Sequence, residues 1–250
     1  MFVLDQTVGR VRIAFTDRHG GVSEGAGSSL DLAGGTDGAH SSAAAAANIG
    51  RVAAAFGVPP ADVVSMRQVH GRRVVLVDAD TPGRPAPTAD ALVTDTPGLV
   101  LLARAADCVP VAVADPVRGL VAVVHSGRPG TKAGVVSATV ARMRAGGGEQ
   151  LQAWIGPRVC GGCYEVPAAM RAEVAAVEPT TWSTTRSGTP GLDLAAGVRA
   201  QLRRAGVAVH DLADRDGTAV ACTMESPDLF SHRRQGPGAG RLGALAQVQR

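Results

Sequence analysis

Cys108-Val109-Pro110-Val111-Ala112-Val113-Ala114, Asp115-Pro116-Val117-Arg118 and Gly119-Leu120-Val121-Ala122-Val123-Val124-His125 follow one another without a break. Two short apolar runs, rich in β-branched residues, flank four residues that favour a turn. Runs of this length bounded by turn formers read as buried strands rather than helices. Paired as an antiparallel hairpin with Asp115–Arg118 as its loop, Ala114 faces Gly119, and the register steps outward until Cys108 faces His125. Directly opposed residues hold their Cβ atoms about 4.5–5.5 Å apart on one side of a sheet, so the hairpin sets a thiol beside an imidazole at its open end. Pro110 stands near the start of its strand, a position that tolerates proline. Outward from the hairpin, Leu99–Ala103 and Leu151–Ile155 repeat the buried-strand pattern. Gly9–Thr16 alternates like a strand, Val63–Val77 contains one whose surest part is Arg73–Val77, and Ala219–Cys222 and Leu242–Val248 read as closing strands. Helices are predicted from a Ser41 or Ser42 cap to about Phe56, over Ser137–Ala145, over Ala168–Val177 and over Leu194–Ala205. Asp17–Gly21 reads as a turn, Gly25–Gly38 as a loop apart from Leu30-Asp31-Leu32, and Thr81–Thr88 as a proline-rich loop. With no repeat and no linker, residues 1–250 are expected to form a single α/β (α+β) domain of mixed β-sheets packed by helices.

The composition narrows the function. Of 250 residues, 45% are hydrophobic, enough for a sizeable core, but only 3% are aromatic, so that core must be Val, Leu, Ile and Ala. The net charge is +3; Lys132 is the only lysine and the arginines are scattered. Without clustered bases or aromatics for stacking, a nucleic-acid binder is not expected. No run approaches the ~20 apolar residues that span a bilayer, so no membrane partner is expected. Asp5, Arg10 and Arg12 interrupt the apolar core that an export signal needs. The expectation is a cytoplasmic protein whose Cys108, Cys160, Cys163 and Cys222 are reduced and open to metal or catalysis.

A cysteine beside a histidine supports three readings. His125 can lower the Cys108 pKa to make a nucleophilic dyad. The two can be part of a metal set that needs a third ligand. Or a buried cysteine can lie against a structural histidine. His70, in Arg67-Gln68-Val69-His70-Gly71 just before a strand, is a candidate third ligand, although a lone histidine is more often structural. Cys160-Gly161-Gly162-Cys163 could be a redox pair or half of a zinc knuckle. The chain has no second C-x-x-C and Cys222 fits one poorly, so the pair reads as structural or incidental.

The motifs together carry a resemblance. Gln68-Val69-His70-Gly71, Ala89–Thr94 (A-D-A-L-V-T), Ala106–Val111 (A-D-C-V-P-V), Val124-His125-Ser126-Gly127, Ile155-Gly156-Pro157, Cys163-Tyr164-Glu165-Val166, Cys222-Thr223, Phe230–Arg234 and Gly240-Arg241 occur in order. Arg18–Ser23 and Asn48 also fall in place. The chain thereby resembles the laccase-domain, or multicopper polyphenol oxidase, family, whose members are zinc-dependent purine nucleoside enzymes. The resemblance implies zinc held by His70, Cys108 and His125. It also implies phosphorolysis of adenosine, inosine, guanosine and methylthioadenosine, with adenosine deamination as a second activity. The implied partners are a purine nucleoside and phosphate, and the implied fold is shared distantly with cysteine-hydrolase toxins. A copper polyphenol oxidase is less favoured, because the chain has six histidines and His19, His40, His210 and His232 sit in unrelated contexts. A cysteine hydrolase using Cys108 and His125, editing of a cell-wall peptide precursor and a non-enzymatic metal-binding protein remain alternatives.

The motif positions also nominate Cys108, Asp107 and Glu165 as catalytic groups, Asp107 and Glu165 as proton carriers or, for Asp107, as a group that orients Cys108. Phosphate needs arginine; Arg67, Arg128 and Arg234 are the candidates, with Arg233 and Arg241 completing the pool. Two departures stand out. The family's H-A-G-W-R-G is here His125-Ser126-Gly127-Arg128-Pro129-Gly130, without the tryptophan and with the arginine moved by one place, and His232 replaces a tyrosine.

Overall fold

The computed structural model describes residues 1–33 and 42–250; the expected cap at Ser41, His40 and the end of the Gly25–Gly38 loop lie outside them. In chain order the elements are β1 (Phe2–Val8), β2 (Val11–Thr16), α1 (Ser42–Phe56), β3 (Val63–Ser65), β4 (Val74–Leu76), β5 (Ala91–Thr94), β6 (Val100–Ala105), β7 (Val109–Asp115), β8 (Leu120–Ser126), α2 (Arg128–Ala133), α3 (Val135–Ala145), β9 (Gln152–Ile155) and α4 (Ala168–Ala175). There follow β10 (Trp182–Thr184), β11 (Pro190–Leu192), α5 (Leu194–Arg204), β12 (Ala208–Asp211), α6 (Leu212–Asp216), α7 (Thr218–Ala221), α8 (His232–Gln235) and β13 (Leu242–Val248). They build a five-stranded sheet, β1-β2-β13-β6-β3, a six-stranded sheet, β12-β9-β7-β8-β5-β4, and a two-stranded hairpin, β10-β11. Among the described residues, no helix is long and apolar enough to cross a membrane.

Strand parity explains the layering. Successive side chains of a strand point to opposite faces, and here both faces of the central strands are buried, which is why their sequences are continuous apolar runs. Val109, Val111, Val113, Ala122 and Val124 pack with Val136, Val140, Val198 and Leu202 of α3 and α5. Their neighbours Ala112, Ala114, Val121 and Val123 face the other way, onto Ile13, Phe15, Leu101, Ala103 and Ala246 of the five-stranded sheet. Val100, Leu102 and Leu245 on the far side of that sheet meet Val52, Ala53 and Phe56 of α1. Helices thus cover both outer faces of a two-sheet sandwich, a single mixed α+β domain.

Three expectations are corrected. The hairpin register is Asp115↔Leu120, which sets Pro110, not Cys108, opposite His125. The loop is Pro116–Gly119, one residue later than expected. Asp115 decides this: its Oδ1 accepts the N–H of Val117 and Arg118 at 3.1 and 3.0 Å, its carbonyl accepts Gly119 N–H at 2.9 Å, and Gly119 takes φ +70°. The shift of pairing is by two residues, so faces are preserved and Cys108 stays on the His125 side, diagonal to it. Second, Val63–Val77 is two strands in different sheets: β3 pairs with β6 and β4 with β5. The segment between them crosses from sheet to sheet. Third, Ala219–Cys222 is not a strand; α7 occupies most of it and Cys222 makes only an isolated bridge to Arg158. A local apolar pattern of four residues does not distinguish a short helix from a strand. In addition, the predicted Gly9–Thr16 strand begins at Val11, because Gly9 and Arg10 turn between β1 and β2.

Asp115 is fully buried, and its Oδ2 also accepts Glu149 and Gln150 N–H at 2.8 and 2.9 Å. Burial pushes its carboxyl up, but the four N–H donors outweigh it and hold the pKa below the usual carboxylate value. The depressed group stabilises the fold when ionised, and that contribution is lost as pH falls through its folded pKa. Asp115→Ala should cost about 3 kcal/mol by stranding those donors. The cost should register as a lower urea midpoint at unchanged slope, with Asp115→Asn intermediate.

Candidate functional site

The site lies where the inter-sheet layer ends. His125 is the penultimate residue of β8 and continues the face of Val121 and Val123; Cys108 immediately precedes β7; His70 sits in the segment that crosses between the sheets. Asp90, immediately before β5 and fully buried, joins them. Its carbonyl accepts His125 N–H at 2.8 Å, extending the β5–β8 ladder, and its Oδ1 lies 2.9 Å from His125 Nδ1. The same carboxylate accepts the N–H of His70 at 2.9 Å and of Gly71 at 2.7 Å, and more distantly of Val69 at 3.3 Å. These bonds hold His70 at φ +58°, a left-handed conformation uncommon outside glycine. An ionised Asp90 requires the proton of His125 on Nδ1, which leaves Nε2 to face the centre.

His70 Nε2 is 3.8 Å from Cys108 Sγ, the two imidazole rings meet edge to face at 4.7 Å, and the three donor atoms lie within 4.8 Å of one another. A tetrahedral zinc spaces a sulfur and a nitrogen ligand by about 3.6 Å, so the donor set fits. A Cβ on Gly127 would stand 2.6 Å from His70 Cδ2 and 2.9 Å from Cys108 Sγ; only glycine leaves the donors room to converge. Burial pushes the Cys108 thiol up, but hydrogen bonds from His125 and His70 outweigh it and bring its pKa to about 6. Burial pushes His125 down, but the Asp90 hydrogen bond and the thiolate raise it to about 9. Asp90 is pushed up by burial and pulled further down by His125 and the backbone N–H groups. Near neutral pH the centre is therefore a thiolate–imidazolium pair, a form competent either as nucleophile and general acid or, on loss of the imidazolium proton, as two ligands of a three-ligand metal site.

The donors open into a cavity of about 680 Å³, whose wall includes Arg67, Arg104, Arg233, Arg241, Asp107 and Tyr164. Asp107 is buried and pinned: Oδ1 accepts the Thr223 hydroxyl at 2.6 Å and Oδ2 the Arg233 N–H at 2.9 Å. Glu165, by contrast, is exposed and absent from the cavity wall; its carbonyl accepts from Arg233. Arg67 lines the cavity with its guanidinium on Thr88 Oγ1. Arg128 opens α2 outside the wall. Arg234 is spent on the carbonyls of Thr223, Met224, Ser226 and Leu229, a clamp on that loop rather than an anion site. Asp90 and Arg104 were not singled out by sequence. Asp90 lay within the Ala89–Thr94 motif, but nothing local marks a buried anchor; Arg104 lies in an apolar strand and donates to the Met66 carbonyl at 3.0 Å.

In protein stripped of metal by a chelator, alkylation of Cys108, followed peptide by peptide, should accelerate with pH up to about 6 and then level off, because only the thiolate reacts and its pKa is about 6. Asp90→Asn removes the carboxylate that keeps His125 charged, so the break should move toward the higher pKa of a free thiol.

Comparison with known proteins shows the family. A family model described as multi-copper polyphenol oxidoreductase laccase matches residues 12–249. A Streptomyces coelicolor protein named purine nucleoside phosphorylase is 50% identical over 230 residues, covering 91% of this chain and 92% of its own length. A Mycobacterium tuberculosis protein of the same name is 45% identical over 246 residues, covering 96% and 93%. Among solved structures, a Neisseria meningitidis protein superposes with a TM-score of 0.84 at 31% identity, covering 100% of this chain and 99% of its own. The hypothetical protein YfiH of Bacillus licheniformis also gives a TM-score of 0.84, at 27% identity, covering 96% and 93%. The match of nearly the whole chain to the family model, together with these relatives, places the protein in the multi-copper polyphenol oxidoreductase laccase family.

Proposed function

We propose that the protein is a zinc-dependent purine nucleoside phosphorylase that also deaminates adenosine. The observation that carries this reading is the convergence of His70, Cys108 and His125 on a cavity of about 680 Å³ whose lining includes four arginines. The names of its relatives support it. His70, Cys108 and His125 would hold the zinc, which when bound supplies a Lewis acid and a water of lowered pKa.

The chain's own residues do the rest. Asp90 fixes the tautomer and direction of His125 and the backbone of His70. Arg67, Arg233 and Arg241 are the cavity-lining arginines for orthophosphate and Arg104 adds positive charge, while Arg128, at the altered loop and outside the wall, would have to reach in. Arg234 supports the wall. In phosphorolysis a phosphate oxygen bonds to the ribose carbon as the bond from that carbon to the purine nitrogen breaks, and a proton neutralises the departing base. Of the two carboxylates proposed as proton carriers, Asp107 borders the cavity and Glu165 would have to turn inward. For deamination at purine C6 the same carboxylate would carry the proton of the attacking water.

A second reading, hydrolysis by a Cys108–His125 dyad, is favoured by the low pKa of the Cys108 thiol. Chelation separates the two: it abolishes a zinc reaction and spares a dyad, whereas thiol alkylation stops both.

Adenine release from adenosine is expected to depend on added phosphate and to yield a ribose phosphate in equal amount. Release indifferent to phosphate would overturn phosphorolysis. His70→Ala, Cys108→Ala and His125→Ala should each abolish turnover. Asp90→Asn should weaken zinc binding about 10- to 100-fold, as loss of a group that orients a ligand does. Gly127→Ala should lower zinc affinity with little change in unfolding temperature, read by chelator competition and calorimetry, because its added carbon meets the ligand atoms.

A further inference from the structure

We propose that Cys160, Cys163, Cys222 and Glu225 form a second, closed zinc site, built from residues other than those of the His70 centre. The Cys160–Cys163 turn and the Cys222–Glu225 turn, remote in sequence, meet so that three sulfurs and one carboxylate oxygen lie within 4.8 Å of one another. All four cysteines of the chain are free thiols. Cys222 is held by the bridge to Arg158 and by the turn in which Glu225 and Ser226 donate to its carbonyl at 3.1 and 2.9 Å. Cys163 and Tyr164 donate to the carbonyl of Cys160, both at 3.0 Å. The Cys160 N–H points at Cys222 Sγ at 3.4 Å, an amide-to-sulfur hydrogen bond that fixes the two turns against each other. A tetrahedral zinc spaces two sulfurs by about 3.8 Å, which small shifts of donors already within 4.8 Å of one another would reach.

The cation-seeking character of this point is visible in Arg186. A single guanidinium nitrogen, Nη1, lies 2.9 Å from Cys163 Sγ, 3.6 Å from Cys160 Sγ and 2.7 Å from Glu225 Oε1. It touches three of the four donors. Arg186 comes from the loop between β10 and β11, and its side chain is 55% exposed, free to swing outward when a metal ion takes the centre. The S₃O donor set suits zinc, and the thiols would give up their protons as the metal binds. A redox pair would need only Cys160 and Cys163; the third thiol and the carboxylate are surplus to it. With four protein ligands no position is left for substrate, so the ion is structural. It clips the loop that carries Tyr164 to the turn whose Thr223 holds Asp107, bracing one wall of the cavity.

The test is metal stoichiometry, read by elemental analysis and native mass spectrometry of the full chain purified under reducing conditions with zinc. This readout is independent of any nucleoside reaction. Wild type is expected to carry about two zinc ions, and Cys160→Ser/Cys163→Ser about one, which His70→Ala/Cys108→Ala also retains. Cobalt loaded into the His70→Ala/Cys108→Ala variant should show intense thiolate-to-metal absorption and the visible bands of a tetrahedral, thiolate-rich site. This arm leaves all four cluster residues intact, so it reads even if the cysteine variants fold poorly. Equal zinc in wild type and Cys160→Ser/Cys163→Ser, a cobalt spectrum without thiolate bands, or a disulfide among these cysteines with no bound metal would each overturn the proposal.

Discussion

One buried carboxylate organises the site. Asp90 accepts the ring proton of His125 and the backbone N–H groups of His70 and Gly71, so a single side chain sets the ring of one histidine and the backbone of another. A lone buried carboxylate would be costly, but here the donors that neutralise it are those that must be positioned. Charge-assisted hydrogen bonds of this kind are short and strong. They also hold His70 in a left-handed conformation that its surroundings would otherwise not favour. The low pKa of Cys108 follows one step further along, because Asp90 keeps His125 charged and His125 keeps the thiolate.

That carboxylate can act only because the fold brings its partners to one rim. Two sheets with apolar residues on both faces stack through small side chains, Ala103, Ala112, Ala114 and Ala246 among them, and the chain between β3 and β4 passes from one sheet to the other at the edge of this layer. His70 rides on that crossing. The layer between the sheets is mainly aliphatic, while the polar groups of the site gather at its margin, where β7 begins and β8 ends. The two proposed metal centres differ in the same terms. One has three donors and faces a cavity; the other has four and faces two turns and an arginine.

The arginines divide by whether they border the cavity. Arg234 satisfies four carbonyls of one loop and behaves as a structural clamp. Arg158 is buried in an ion pair with Asp211 at 2.6 Å. Arg67, Arg104, Arg233 and Arg241 border the cavity, where an anion would meet several guanidinium groups at once. Position in a motif did not separate these roles, since Arg233 and Arg234 are adjacent. The direction in which each leaves α8 does.

Local chemistry settled much of this protein. The apolar period of Val109–Ala114 and Leu120–Val124 required buried strands, the turn formers between them required a hairpin, and that hairpin brought Cys108 near His125. The ordered motifs added His70 and the family. Beyond this the sequence was silent, because the deciding interactions join residues far apart in the chain. The register of the hairpin was set by Asp115 receiving N–H groups from Glu149 and Gln150 as well as from its own loop. The pattern over Val63–Val77 gave no sign of belonging to two sheets, since strands of either sheet share one periodicity. Asp90 reads locally as one acid among many, and only its burial against two histidines makes it the anchor. Cys222, which seemed a poor partner for Cys160-Gly161-Gly162-Cys163 by spacing, stands beside it because its turn folds back against Arg158. Periodicity and motif report what a segment can become; burial and long-range hydrogen bonding, which exist only once the sheets have stacked, decide which side chains meet.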